Sequence, residues 1–565
     1  MAMVNGWAHA DQDRLGREEI MTSRAARLVC VVVGLGALAA CGRGEREGAS
    51  APEGAMSLYD NLGSLHHEIT TDVAATQRYF DQGMRLLYAF NHAEAAHSFE
   101  EAERLDPACA MCAWGVALAN SPNINQPLDS ARGAVGYKAI QRAAERAATA
   151  TPREQAYLSA MARRLAPDPL GDRAVLDSAY AMAMREVADA YPEDQDAQVL
   201  YADALMNLSP WNYWTADGAP RPGTDQIVSR LESVMAVNPD HPGACHLFIH
   251  AEEAHDPTRA VACAERLAEL MPGAGHIVHM PGHIYIRVGR YQDAVEANKH
   301  AVHADESYME GPLVTRRGIY PQGYYPHNYH FMSFAASMAG QSETAIYAAR
   351  KVAETVGPDV AREIEWLEAI TPLVPWTLVT FGQWDQVLAE PLPPADLRFT
   401  TGQTYYARGV AHAANGQWAE AREALDSVTA IAKGFPAGDN KTALEIAQHA
   451  LAGEMAMRRD RLDEAVRQFQ AAVDLESGLT YNEPPTWYYP MRHSLGKALL
   501  AAGLAPEAQR VYEEDLERFP ENGWSLFGLA AALDMQGKTD EAVAVRARFE
   551  KAWQGADVTL TGPRF

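Results

Sequence analysis

The sequence predicts an all-α protein, a solenoid of stacked helix pairs, on three observations. Small residues, aromatics and prolines recur with a period of 34 residues along most of the chain, and self-similarity at that length marks repeat architectures. The segments between the recurring glycines and prolines are alanine-rich, with apolar residues at helical spacing. No stretch shows the alternation that a half-buried sheet requires.

The N-terminus reads as an address. Arg24 and Arg27 precede the apolar run Leu28 to Ala40, which is too short to span a membrane and has the layout of a secretory signal. Residues 1 to 20 lie on the wrong side of that basic region, which makes Met21 the expected start. Leu38-Ala39-Ala40-Cys41 resembles a bacterial lipobox, and the resemblance implies that Cys41 carries the lipid. With Gly42 after the cysteine, the outer membrane is the expected destination, with the rest of the protein in the periplasm. The reading therefore divides the chain into a signal region at 1–41, a polar tether at 42–57, and repeats at 58–240, 241–356 and 357–565. Beyond Cys30 and Cys41, four of the six cysteines remain: Cys109, Cys112, Cys245 and Cys263. An exported compartment permits disulfides. Cys109 and Cys112 suit a structural disulfide, a redox pair or half a metal site; no histidine follows Cys112, which excludes haem attachment.

The repeats begin with Gly83, Ala95, Phe99, Ala102 and Pro107. Gly453, Ala465, Phe469 and Ala472 keep the same spacing, as do Gly496, Ala508, Tyr512 and Pro520, and Trp524 with Gly528 opens another unit. Gly409 with Ala421, Gly282 with Ala294 and Ala301, and Ala260 with Pro272 fit too. This pattern resembles the tetratricopeptide repeat over most of residues 70 to 555, clearest at both ends and degenerate between about 135 and 190. The resemblance implies a right-handed α-solenoid with a concave inner surface, and it implies fold far more than function. Three segments break the period: Asn120–Pro127, Ser209–Gly218 and Ala304–Pro326. Insertions in solenoids usually form loops on the binding face. The first two both leave the end of a first helix, so they are expected to overhang one rim.

More than half of the 19 histidines fall between Pro242 and Phe331. His246/His250 and His279/His283 are four apart and His327/His330 three apart, so each pair shares a helix face. In tetratricopeptide proteins the first helix of each pair lines the groove. By that resemblance His279, His283, His327 and His330 point into it, and His246, His250 and Glu253 join them after a one-residue adjustment. One unit upstream, Asp203 and Asn207 occupy groove positions. Imidazole is the commonest ligand for transition metals, and a catalytic site needs three protein ligands with a position left open. The expected metal ligands are His250, Glu253, His279, His283 and His330. Asp203, Asn207, His246, His276 and His327 are expected around them as ligand contacts, with Trp211, Trp214 and Tyr324 as a roof. Zinc is the expected metal, or copper if Met280 or Met332 joins the ligands.

Charge narrows the partners. With 48 Lys and Arg against 74 Asp and Glu, the net charge of −26 argues against nucleic acid and against an anionic membrane surface. Membrane contact is expected only through the lipid. None of the common nucleophile, phosphate-loop or dinucleotide motifs appears in suitable context. Two functions remain: a groove that binds a small-molecule substrate through a histidine-held metal, for hydrolysis or oxidation, and a non-catalytic scaffold that binds a protein or peptide.

Overall fold

The computed structural model describes residues 56–215, 217–311 and 317–565. The signal region, Cys41 and the tether up to residue 55 lie outside the described residues. Helices follow one another in antiparallel pairs from Ala74–Tyr88 with His92–Leu105 to Gly523–Met535 with Thr539–Ala552. Among the described residues the only β pairing is two isolated bridges, Asn123 with Gln126 inside the first interrupting segment and Trp214 with Pro220 across the end of the second. The degenerate stretch is helical as well, as Ser130–Glu145, Pro152–Arg164 and Arg173–Ala190. Thr151 caps the second of these with a reciprocal capping box to Glu154, which satisfies two orphan donors at once.

The repeat residues explain how the pairs close. A Cβ added to Gly83 would lie 2.5 Å from the Phe99 ring, and one added to Gly115, in the next repeat, 2.4 Å from the same ring. Phe99 is thus clamped between two glycines of successive first helices. Tyr512 is clamped in the same way, with Cβ positions of Gly496 and Gly528 falling 2.3 and 2.2 Å from it. Every such ring ties three helices, which is why repeats that cannot bury their own apolar faces are stable in an array.

The C-terminal repeats fold back on the central ones. Gly289 turns with φ 78°, and a Cβ there would meet the carbonyl oxygen of Pro520 at 2.6 Å. Trp524 Nε1 donates to the carbonyl oxygen of Ser337 at 2.9 Å. Residues 56–565 accordingly form one compact unit. Two disulfides, Cys109–Cys112 and Cys245–Cys263, use all four remaining cysteines. The first bonds the CxxC pair, which rules out half a metal site there, and Cys109 caps the helix Ala110–Ala119.

A buried polar knot fastens the N-terminal segment. His67 Nδ1 lies 2.7 Å from Asp196 Oδ2, Tyr88 donates its hydroxyl to Asp196 Oδ1 at 2.6 Å, and His241 Nε2 stands 3.4 Å from that oxygen. Burial works against ionised Asp196, but the His241 and His67 imidazoles outweigh it and hold its carboxyl well below the usual range. Burial likewise opposes a charged His67, and Asp196 overcomes it and raises the His67 pKa. A raised histidine pKa contributes stability that is full below about 6.5, the ordinary unfolded value, and is lost as pH rises through the folded value. The depressed Asp196 contributes above about 3.9 and loses its effect as pH falls. We expect the thermal midpoint of His67→Gln to lie below that of the native protein at pH 6, and the gap to narrow by pH 9. A constant gap across that range would show that the pair is not charged.

Candidate metal centre

Three first helices bring the histidines to one wall. His246 and His250 lie on Pro242–Glu252, which starts with Pro242 in its first turn and His241 as cap. His279 ends Gly275–His279 and His283 lies on Pro281–Arg287, the two helices meeting at Met280–Pro281. His327 lies on Tyr325–Met338. All but the half-buried His327 are almost wholly removed from solvent.

The nitrogens are arranged in a definite order. His246 Nδ1 faces the carbonyl oxygen of Tyr88 at 2.6 Å, and His279 Nδ1 faces Asn298 Oδ1 at 2.7 Å. His250 Nδ1 faces Glu253 Oε1 at 3.2 Å, and His283 Nδ1 lies 2.6 Å from Glu253 Oε2 and 2.9 Å from Glu483 Oε2. Because each of these partners accepts, each Nδ1 carries a hydrogen, and the Nε2 atoms are turned inward, as lone pairs on the neutral rings and as a second N–H on charged His283. There they meet: His246 Nε2 is 3.1 Å from His250 Nε2, and His279 Nε2 is 2.8 Å from His283 Nε2. His276, buried beside them, has no hydrogen-bond partner on either nitrogen. Donor atoms lie within 4.8 Å of one another in three groups here: His246, His250 and His276; His279, His283 and His327; and His250, Glu253 and His283.

Burial, reinforced by neighbouring imidazoles, holds His246, His276, His279 and His327 well below the usual histidine range. Burial also lowers His250, against the pull of Glu253. His283 is the exception: burial would lower it, but Glu253 and Glu483 raise it to about 9. Burial favours the neutral acid at both carboxyls; at Glu253 the His283 and His250 imidazoles prevail and keep it ionised, whereas Glu483 is raised further by the Glu253 charge. The wall is therefore one of neutral imidazoles with a single charged one, His283, held against the ionised Glu253 carboxylate.

A cavity of about 50 Å³ opens in front of it, lined by His250, His276, His283, His327, Trp211 and Tyr324, with Asn125 and Glu483 at its edge. Trp211 adopts φ 63°, a left-handed conformation that costs a bulky residue of order 1–3 kcal/mol. In that conformation its ring packs edge-on to His250 at 4.9 Å and Nε1 donates to the carbonyl oxygen of Ile124. The two interrupting loops thus meet over the site, as the repeat register predicts. Tyr324 lies with its ring 4.5 Å from that of His276.

Four expected residues are placed elsewhere. His330 is buried and lowered to about 3 by that burial, but it belongs to none of the donor groups. A three-residue step turns about 60° around a helix against about 40° for a four-residue step, and on this helix His327 faces the cluster. Trp214 donates to the carbonyl oxygen of Ala251 and stacks on His255 at 3.8 Å, so it braces the outside of the helix and roofs nothing. Asp203, raised to about 6 by burial, lines a separate small pocket with His92 and Arg164. Asn207 donates back to the carbonyl oxygen of Asp203 and closes its own helix. Phe90 borders that pocket and packs against His246, His250 and His276, which separates Asp203 from the cluster. Met280 and Met332 are part of the apolar core.

Sequence reasoning missed Glu483, Phe90 and Asn298. The first comes from the loop before Met491–Ala501, about 200 residues from His283, and no spacing rule reaches that far. Asn298 did leave a signal. It occupies the place in the repeat where Phe99, Phe469 and Tyr512 put the clamped ring, four residues after the repeat alanine. A Cβ on Gly282 would lie 2.8 Å from Asn298 Nδ2. A buried amide where other repeats have an aromatic is a polar group in need of a partner, and His279 is that partner.

Fold and site together define an α-solenoid with a histidine-walled cleft in its central repeats. Residues 493–557 match the family model of the tetratricopeptide repeat, and the same register of glycine and clamped ring recurs at both ends of the chain, so the chain carries tetratricopeptide-type repeats. No curated protein matches the chain. Among solved structures, the human IFIT1 dimer with m7Gppp-AAAA is 13% identical over 87% of this chain and 92% of that one, with a TM-score of 0.30. The P58(IPK) TPR domain is 12% identical over 83% of this chain and 100% of that one, with a TM-score of 0.21. Overlaps this low carry nothing about ligands.

Proposed function

We propose that the protein binds a transition metal in its central cleft and acts through it on a small ligand. The observation that supports this most is the convergence of imidazole Nε2 atoms in a dry site, with His276 beside them lacking a partner on either nitrogen, because buried nitrogens gathered so closely suit a cation among them. Imidazole donors suit zinc, copper, iron or nickel. Such an ion supplies Lewis acidity or redox chemistry when bound. For their part, Trp211 and Tyr324 restrict water, while the raised carboxyl of Glu483 at the cleft edge can hand a proton to a ligand. The small cavity favours a compact substrate over a peptide, and metal-assisted hydrolysis or oxidation is the reaction class. We further propose export with a lipid on Cys41 and residence at the periplasmic face of the outer membrane. Two disulfides among the described residues are consistent with an oxidising compartment.

Elemental analysis of the protein purified without a histidine tag tests the metal. We expect near-stoichiometric metal that is lost in the His279→Ala, His283→Ala double variant with helicity retained. No metal after incubation with zinc and copper would sink the proposal.

A partner-binding role has its own place on the molecule. An open groove of about 760 Å³ runs between Trp418–Lys433, Asp439–Met457 and Leu462–Ser477, lined by Trp418, Arg422, His449, Arg459 and Arg461 among others. Asp426 and Glu464 also line it and pair with Arg422 and Arg461, while Arg459 lies over the Trp418 ring, a mixed-charge surface that suits a polar peptide.

A further inference from the structure

We propose that the cleft holds two transition-metal ions, one on His246, His250 and His276 and the other on His279, His283 and His327, with Glu253 joining the two ligand sets. This rests on the metal-binding reading above and deepens it.

The donors divide into two equivalent halves. Each half has a pair of histidines four residues apart whose Nε2 atoms face each other, at 3.1 Å in one and 2.8 Å in the other. Two nitrogens on one tetrahedral ion, each about 2.0–2.1 Å from it, stand roughly 3.4 Å apart, so each pair is close to the spacing of two ligands of one metal. Each half is completed by a third imidazole from a neighbouring position, His276 or His327, to give three donors within 4.8 Å. His276 is the more telling of the two: it is 2% exposed with both nitrogens unpartnered, and a buried imidazole with nothing to bond has no structural reason to be polar.

The third possible donor group, His250, Glu253 and His283, competes for no Nε2 atom. It uses the Nδ1 side, where Glu253 Oε1 serves His250 and Oε2 serves His283. That is the carboxylate–histidine–metal arrangement, which fixes the tautomer and raises the basicity of the ligand. Here one carboxylate does it for one histidine of each half. The other two inner histidines are fixed by oxygens of their own, the Tyr88 carbonyl and the Asn298 amide. A single mononuclear site would leave His276 or His327 without a role. Three neutral imidazoles on each ion leave a coordination position open toward the cavity, so the exogenous ligand of this site is a small anion or dioxygen-sized molecule.

The test counts ions. Metal-free protein is loaded with cobalt(II) or zinc(II), desalted, and the metal per chain measured for the native protein, His276→Ala and His327→Ala. These variants are chosen because the His276 side chain makes no hydrogen bond and His327 is only partly buried, and circular dichroism checks their folding. We expect two ions in the native protein, one in each variant, and none held through desalting when both residues are replaced. One ion in the native protein, loss of all metal in a single variant, or two ions kept in the variants would each overturn the two-ion proposal. One ion would leave the metal-binding reading intact, whereas none would remove both.

Discussion

Glu253→Gln is expected to weaken metal binding at one half of the cleft by about 10–100-fold, the usual cost of removing the carboxylate that orients a ligating histidine. Glu253 is 1% exposed and held in its ionised form; its Oε1 is hydrogen-bonded to His250 Nδ1 and its Oε2 forms an ion pair with His283 Nδ1 at 2.6 Å. An amide of the same shape has one accepting oxygen, and its NH2 group can only donate. One imidazole therefore keeps its partner, while the other is driven to the opposite tautomer, with its hydrogen on Nε2 where the metal should be. Glu253→Ala leaves His250 without an acceptor while His283 keeps Glu483 at 2.9 Å, so it should weaken the His250 half the more. Asn298→Ala, which frees only His279 Nδ1, should weaken one half and leave the other. Competition titration against a chelating indicator resolves these patterns. Affinities within about twofold of native in Glu253→Ala would mean that the carboxylate only balances the His283 charge.

The difference between these variants reflects what the sequence could and could not reveal. The helix pairs were legible because the clamp is written locally: a glycine, an alanine twelve residues on and an aromatic four beyond it are enough to dictate how two helices approach. The histidine pairs were legible for the same reason, since a spacing of four on a helix is geometry. The register of the following unit placed His327 and His330 together in the groove, yet only His327 reaches the donors, because a helix face is narrower than a three-residue step is wide. The contacts that organise the nitrogens were not legible. Tyr88, Asn298 and Glu483 come from three different repeats, and which of them meets which histidine depends on how tightly successive repeats are wound. Asn298 shows the partial case, a polar residue in an apolar slot, which flags a site without naming its partner.

Trp524→Ala is expected to cost about 3–5 kcal/mol, the range for truncating a buried aromatic. It is also expected to loosen helices far from it in sequence. The indole is 2% exposed, packs edge-on to Trp553 at 5.3 Å and Phe565 at 5.8 Å, and donates to Ser337 at the end of the His327 helix. In an open solenoid each repeat touches only its neighbours, so a cavity near the last repeat frays that end and leaves the middle alone. Here the last repeats close onto the central ones through Trp524 and through the Gly289 turn against Pro520. The same C-terminal half supplies Glu483 to His283. Urea unfolding measures the cost, and native-state hydrogen exchange locates it. We expect faster exchange in Tyr325–Met338 as well as in Gly523–Met535. Exchange confined to the last two helices would mean that the array behaves as an open one, and that Glu483 is carried to the cleft by its own loop and not by the closure.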